Sequence, residues 1–129
     1  PVFYVQYCYA RISSLFRTLK IEMKSEFKLD ENDFNLNEHE LNLFRKILDW
    51  PKVIETASNK FEPHRIPFYL YELATLFHSY WSKGNEDSKY RFIVNEKIQS
   101  QNTLLIIKLV ALTIENGMKI LGVKLPSKM

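Results

Sequence analysis

Glycine, proline and cysteine are scarce in this chain. Three glycines and five prolines in 129 residues exclude collagenous, low-complexity and linker-like sequences, which need those residues in bulk. The single cysteine, Cys8, cannot close an internal disulfide or build a cysteine-based metal site. It fits a reducing compartment, so a cytoplasmic location is expected. A long apolar run is also missing. The longest, Leu104 to Ile114, contains Lys108 and falls well short of the ~20 residues needed to cross a bilayer, so no membrane association is expected. His39, His64 and His78 lie far apart without metal-helix spacing, and no second histidine follows His39-Glu40 at the zinc spacing. There is no glycine-rich phosphate loop and no GxSxG elbow. Taken alone, the chain reads as non-catalytic, with no metal or cofactor of its own.

What is present is an ordinary globular composition. Hydrophobic residues make up 46% and charged residues 26%, and the length suits one domain over residues 1–129. No signal or transit peptide is visible. The sequence opens with PVFYVQY, already in a helical pattern and without Met; it is expected to be a piece of a longer protein that keeps the native C-terminus. The net charge is +3, and its distribution is uneven. Residues 1–21 carry Arg11, Arg17 and Lys20 and no acid, whereas residues 22–40 carry seven acids and two bases. The rest is basic again, with thirteen bases and eight acids. Basic ends around an acidic stretch permit a polyanionic partner without requiring one.

The apolar spacing is helical. Val5, Cys8, Ile12, Leu15 and Leu19 step by three and four residues over Phe3–Met23, one buried stripe of a helix. A buried, inert thiol is therefore the expected role of Cys8, in preference to a nucleophile. Tyr4, Tyr7, Arg11, Ser14 and Thr18 form a second stripe about 100° around the same helix, on the shoulder of the core face. Lys24–Asn35 reads as a loop, and its acids Asp30, Glu31 and Asp33 are expected to face solvent. Asn37 and Glu40 have the spacing of a capping box, with Leu36 and Leu41 placed for a hydrophobic staple. Leu41, Phe44 and Leu48 then continue an apolar face. Pro51 suits the first turn of a further helix with Val53, Ile54, Ala57 and Phe61 inside. A long helix from about Pro63 to Ser82 follows, with Pro67 awkward unless the helix starts near it. The last helix is expected from Asn102 or Thr103 to a C′ residue at Gly122. It is apolar around most of its girth and so should be central. Gly117 inside it costs about 1 kcal/mol against Ala, which a close helix crossing would explain. With no convincing strand alternation, the expected fold is an all-α bundle of about five helices.

Three blocks resemble a known family. FYVQYCYARISSLFR at the start, FEPHRIPFYLYELATLFHSYW at 61–81 and GMKILGVKLPSKM at 117–129 are similar, in the same order, to the C-terminal, DALR-type anticodon-binding domain of arginyl-tRNA synthetases. Cys8 and Tyr9 depart from the alanine and histidine common in the opening motif, and residues 84–102 match least. The resemblance implies a DALR helical bundle that binds the anticodon stem-loop of arginine tRNA. It also implies a parent class I ligase that joins arginine to tRNA with ATP, in a catalytic domain upstream of these residues. Under it, Tyr4, Tyr7 and Arg11 face the anticodon loop, whose middle cytosine the family commonly reads.

The residues themselves agree with that implication without demanding it. Two phenol rings beside a guanidinium suit unstacked bases, yet the same tyrosines are also ordinary rim aromatics and Arg11 an ordinary ion-pair partner. Under the resemblance, Tyr80 and Trp81 belong to an aromatic cluster near the anticodon loop; one of them must pack in the core, leaving the other as a stacking platform. Met129, on a tail made basic by Lys124 and Lys128, either approaches the loop or belongs to a plain tail. His64 and Arg65 are either RNA contacts or structural; the structural role is preferred, with His64 helping to order the start of the long helix. The rival reading is a helical protein-interaction or domain-docking bundle with little RNA affinity of its own.

Overall fold

The computed structural model describes residues 2–26 and 35–129; the acidic positions Asp30, Glu31 and Asp33 lie outside them. Five α-helices dominate: α1 (Val2–Leu19), α2 (Glu38–Leu48), α3 (Trp50–Asn59), α4 (Arg65–Glu86) and α5 (Gln101–Leu121). Between α4 and α5 come a single 3-10 turn (Ser88–Tyr90) and a two-stranded hairpin, β1 (Ile93–Val94) against β2 (Lys97–Ile98). The pairing is antiparallel, with Ile93 opposite Ile98 and Val94 opposite Lys97. No described helix is long and apolar enough to cross a membrane.

Helices α1, α4 and α5 pack against one another, α2 lies across α4 and α5, and α3 lies against α4. The apolar girth of α5 places it at the centre: Leu104, Ile107, Val110, Ala111, Ile114 and Met118 are all buried. At roughly 1.5–3 kcal/mol for each large aliphatic side chain removed from water, this helix is the main contributor to the core. The α1 stripe of Val5, Cys8, Ile12 and Leu15 is buried against it, with Leu19 at the margin. Gly117 marks a tight crossing. A Cβ there would stand 2.7 Å from Cδ1 of Leu70 on α4.

Local chemistry sets the helix ends. The Asn37 side chain accepts from the Glu40 amide at 2.9 Å, and Glu40 accepts from the Asn37 amide at 3.0 Å, so the capping box forms. Helix α4 starts at Arg65, which puts Pro67 in the first turn, where a missing N–H leaves no bond unmade. Three helices end alike. After α1, α3 and α5 the chain enters the left-handed region at Lys20, Phe61 and Gly122. In each case the next amide bonds five residues back: Ile21 to Phe16, Glu62 to Ala57 and Val123 to Met118. Only one of the three positions is glycine, so only that end carries its sequence signal.

Four expectations need correction. The last helix is capped by Ser100, whose hydroxyl accepts from the Asn102 amide at 3.2 Å, and not by Asn102 or Thr103. On α2 the buried residues are Glu40 and Leu43; Leu48 is exposed, because the capping box turns Glu40 inward and rotates the helix. Phe61 is 91% exposed, because its left-handed backbone swings it off the α3 face. The polar stretch from Lys83 to Gln101, with its apolar island Tyr90 to Val94 and no strand expected, contains the short hairpin.

Candidate nucleic-acid interface

The tyrosine and arginine stripe of α1 lies beside the C-terminal half of α4, and the two helices form one wall and the floor of a cleft of about 700 Å³. Tyr7, Arg11, Ser14 and Thr18 line it from α1, Trp81, Gly84 and Asn85 from α4, and Tyr90 to Ile93 from the opposite side. Lys128 and Met129 of the C-terminal tail line it as well. The tail is tied to α1 by two bonds: Gln6 Nε2 donates to the Lys124 carbonyl at 2.9 Å, and Arg17 Nη1 donates to the Ser127 carbonyl at 2.8 Å.

Gly84 lets the second wall come close. A Cβ at this position would lie 3.0 Å from the Tyr90 carbonyl oxygen and 3.1 Å from the Arg91 Cα. Arg91 then bonds back, Nε to the Gly84 carbonyl at 2.9 Å. Phe92 is buried against Trp81 at 5.7 Å and Tyr80 at 4.5 Å between ring centres, which seals the wall to the core. The hairpin turn behind it has both central residues, Asn95 and Glu96, at positive φ. That is the arrangement of a type I′ turn without its usual glycine.

Arg11 is held at the centre. Its Nη2 donates to the Tyr7 hydroxyl at 2.8 Å. Its guanidinium carbon lies 4.8 Å from the Tyr7 ring centre and 4.6 Å from that of Trp81. His78 approaches from beneath, with Nδ1 3.2 Å from Arg11 Nη1. Burial, with the Arg11 charge as a second cause, lowers the His78 pKa to about 4. Four cations line the cleft, Arg11, Arg17, Arg91 and Lys128, together with the rings of Tyr7, Trp81, Tyr90 and Phe92, and among the described residues no aspartate or glutamate side chain does. Like charges gathered in a concave wall reinforce one another's potential. Such a surface can accept flat rings and negative charge together.

Of the residues singled out from the sequence, Tyr7, Arg11, Trp81 and Met129 come together here. Tyr7 is 37% and Met129 51% exposed. Tyr4 lies one turn away, half-buried against Tyr71 and His78 at 5.1 and 4.8 Å. Tyr80 leaves the set. It is 2% exposed, and its hydroxyl bonds Glu40 Oε2 at 3.0 Å inside the core. Asparagine 37, Thr103 and Glu40 meet there, and burial raises the Tyr80 pKa. Among Tyr80 and Trp81, Tyr80 is thus the core residue. His64 precedes α4 without a side-chain cap; it touches Phe68 edge-on, while Arg65 pairs with Glu62. Cys8 is buried and its pKa raised by desolvation, so it is not a poised nucleophile. No group of three or more metal-ligating side chains occurs among the described residues. Sequence reasoning missed Arg17, Tyr90, Arg91 and Phe92; the signal available was the base between two aromatics at 90–92.

An all-α bundle whose main cleft is lined by cations and aromatic rings defines a small helical domain. The chain belongs to the DALR anticodon binding domain family, whose model matches residues 5–129. It is 46% identical over its full length to an arginine–tRNA ligase of Pelagibacter ubique and 42% identical over 95% of its length to one of Ruegeria pomeroyi. It spans about a fifth of those curated relatives, 22% of each. A crystal structure assigned to an arginyl-tRNA synthetase from Campylobacter jejuni superimposes with a TM-score of 0.77 at 26% identity. That match covers all of this chain and 26% of the other.

Proposed function

We propose that this chain is the anticodon-recognition domain of an arginine–tRNA ligase and that the cleft between α1, α4 and the 88–93 wall receives the anticodon loop of arginine tRNA. The observation that carries this reading is the lining itself: four cations and four aromatic rings with no aspartate or glutamate side chain among the described residues, in a chain that belongs to an anticodon-binding family. Loop bases splayed out of the stack would lie against Tyr7 and Trp81, with Arg11 supplying donors to a base edge. Arg17, Arg91 and Lys128 would meet phosphates. In the ligase, the domain orients tRNA and makes no bonds; arginine activation with ATP belongs to a catalytic domain outside these residues. The working compartment is the cytoplasm. Tyr4, half-buried one turn from the cleft, would support the floor more than it would touch RNA.

Titration of the domain with an arginine anticodon stem-loop and with a variant changed at the middle base tests the proposal. Tighter binding of the cognate loop, weakening steeply with salt, is the expected result. Equal affinity for both loops would remove the claim of anticodon reading. A protein-facing role is favoured by a separate observation: Phe61 and Phe68, both outside the cleft lining, are 91% and 65% exposed.

A further inference from the structure

We infer that His78 is a positioning residue for RNA recognition: held neutral with its proton on Nε2, it accepts from Arg11 and fixes the guanidinium between Tyr7 and Trp81. The inference rests on the reading of the cleft given above and names the group that sets its specificity.

The geometry leaves one protonation state. Arginine has donors only and does not lose its proton. The 3.2 Å approach of Arg11 Nη1 to His78 Nδ1 is therefore a hydrogen bond only if Nδ1 carries a lone pair. The proton must then sit on Nε2, and an imidazolium would place two cations in contact. The surroundings agree. His78 is enclosed by the rings of Tyr4, Tyr7 and Phe77, with centres 4.8, 5.7 and 5.6 Å away. Its Nε2 is buried with no polar partner among the described residues. A neutral N–H is tolerated against ring faces, whereas a full charge without water is not. The charged groups around it are few. Arg11 faces it from α1; Lys83 and Glu86 share its outer rim on α4 and are 3.8 Å from each other. Among the described residues no carboxylate contacts the imidazole to stabilise its cation.

The consequence for recognition is orientation. A free arginine side chain samples many rotamers, and fixing it before binding removes that entropy from the association step. With Nη1 committed to His78 and Nη2 to Tyr7, Nε and the remaining Nη protons are presented in a fixed fork. A fixed fork discriminates base edges, whereas a mobile cation gives only charge.

Two measurements separate this inference from the function on which it rests. The first needs no RNA. Long-range ¹H–¹⁵N spectra of the histidine rings in the free domain should show His78 as the neutral Nε2–H tautomer throughout pH 5.5–8. A cationic ring, or the Nδ1–H tautomer, overturns the inference whatever the domain binds. The second uses the stem-loop pair. His78→Asn, whose Oδ1 stands in for Nδ1, should bind the cognate loop within about threefold of the parent, whereas His78→Leu should weaken it about tenfold and narrow the gap to the middle-base variant. Equal binding by all three proteins overturns the positioning role and leaves the function standing. A parent domain that binds neither loop sinks the function, while the ring tautomer still reports on the geometry.

Discussion

The guanidinium of Arg11 on α1 stands 4.6 Å from the centre of the Trp81 indole on α4. This pair joins the two helices at the floor of the cleft. It offers a ligand an aromatic face and a fork of donors side by side. Trp81 is only half-buried and rests on Phe77 and Phe92, so part of the indole beside Arg11 stays open to solvent.

Removing that surface should act on binding more than on folding. Trp81→Ala is expected to weaken binding of the anticodon stem-loop by roughly five- to 150-fold, the equivalent of about 1–3 kcal/mol for one stacked base. Trp81→Phe should recover most of the loss. Isothermal titration at fixed salt reads the affinities, and circular dichroism checks that helix content is unchanged. Unaltered affinity in the alanine variant would place the RNA elsewhere.

Arg91 provides a different kind of contact. Its Nε is bound to the Gly84 carbonyl, which leaves the outer guanidinium protons for a phosphate. Arg91→Ala should therefore lower affinity for cognate and variant loops alike. It should also reduce the slope of log K against log salt by about 0.7, the value for one single-strand phosphate contact. Titrations at several salt concentrations measure this slope. A selective loss for the cognate loop would show instead that Arg91 reads a base.

Much of this was legible in the sequence, and the unread parts have identifiable causes. Helix faces followed from period 3.6, because Val5, Cys8 and Ile12 or Leu104, Ile107 and Ala111 bury as their spacing requires. The Asn37–Glu40 box and the Gly122 terminus also followed, since each has a residue type suited to one backbone state. The ends at Lys20 and Phe61 and the turn at Asn95–Glu96 adopt left-handed backbone without glycine. The two helix ends are closed by amide bonds five residues back, which any residue type can make, and at the turn only Asn95 carries a local preference for positive φ. The second cleft wall was invisible as well: Arg91 reaches the site only because Gly84 lets residues 88–92 lie on α4. Tyr80 and Trp81 are neighbours in sequence, and only the bond from Tyr80 to Glu40 decides which of them faces inward.

Glu40 offers a test of the core. Its carboxylate is 4% exposed and accepts from the Tyr80 hydroxyl, the Thr103 hydroxyl and the Asn37 amide. These bonds tie α2 to α4 and α5. Glu40→Ala leaves two buried hydroxyls and one part-buried amide without an acceptor and should destabilise the domain by about 3 kcal/mol. Glu40→Gln keeps one carbonyl oxygen and should lose less. Urea denaturation measures both, and an alanine variant as stable as the parent would show that the network contributes nothing net.

Gly117 separates helix propensity from packing. Alanine favours a helix by about 1 kcal/mol over glycine, so propensity alone predicts a more stable Gly117→Ala protein. The added methyl, however, would stand 2.7 and 2.9 Å from the two Cδ atoms of Leu70. Leu70 is itself buried in the core and has little room to turn. Overpacking of this kind costs about 1–3 kcal/mol, which outweighs the gain. A lower denaturation midpoint is expected, and a higher one would show that α4 and α5 can part slightly at their crossing.

Acid should weaken the fold through His78. Its pKa falls from 6.5 to about 4 in the folded chain, chiefly by burial and secondly by the Arg11 charge. Above about pH 6.5 the ring is neutral in both states, and its contribution is intact. Between 6.5 and 4 the unfolded chain takes up a proton that the folded chain refuses, so stability declines as pH falls. Below about 4 both states are protonated and this component is lost. Paired denaturation curves at pH 7.5 and 5 should show a smaller drop for His78→Asn than for the parent, because asparagine does not titrate. An equal drop in both proteins would assign the acid sensitivity to other groups and show that His78 gains no proton on unfolding.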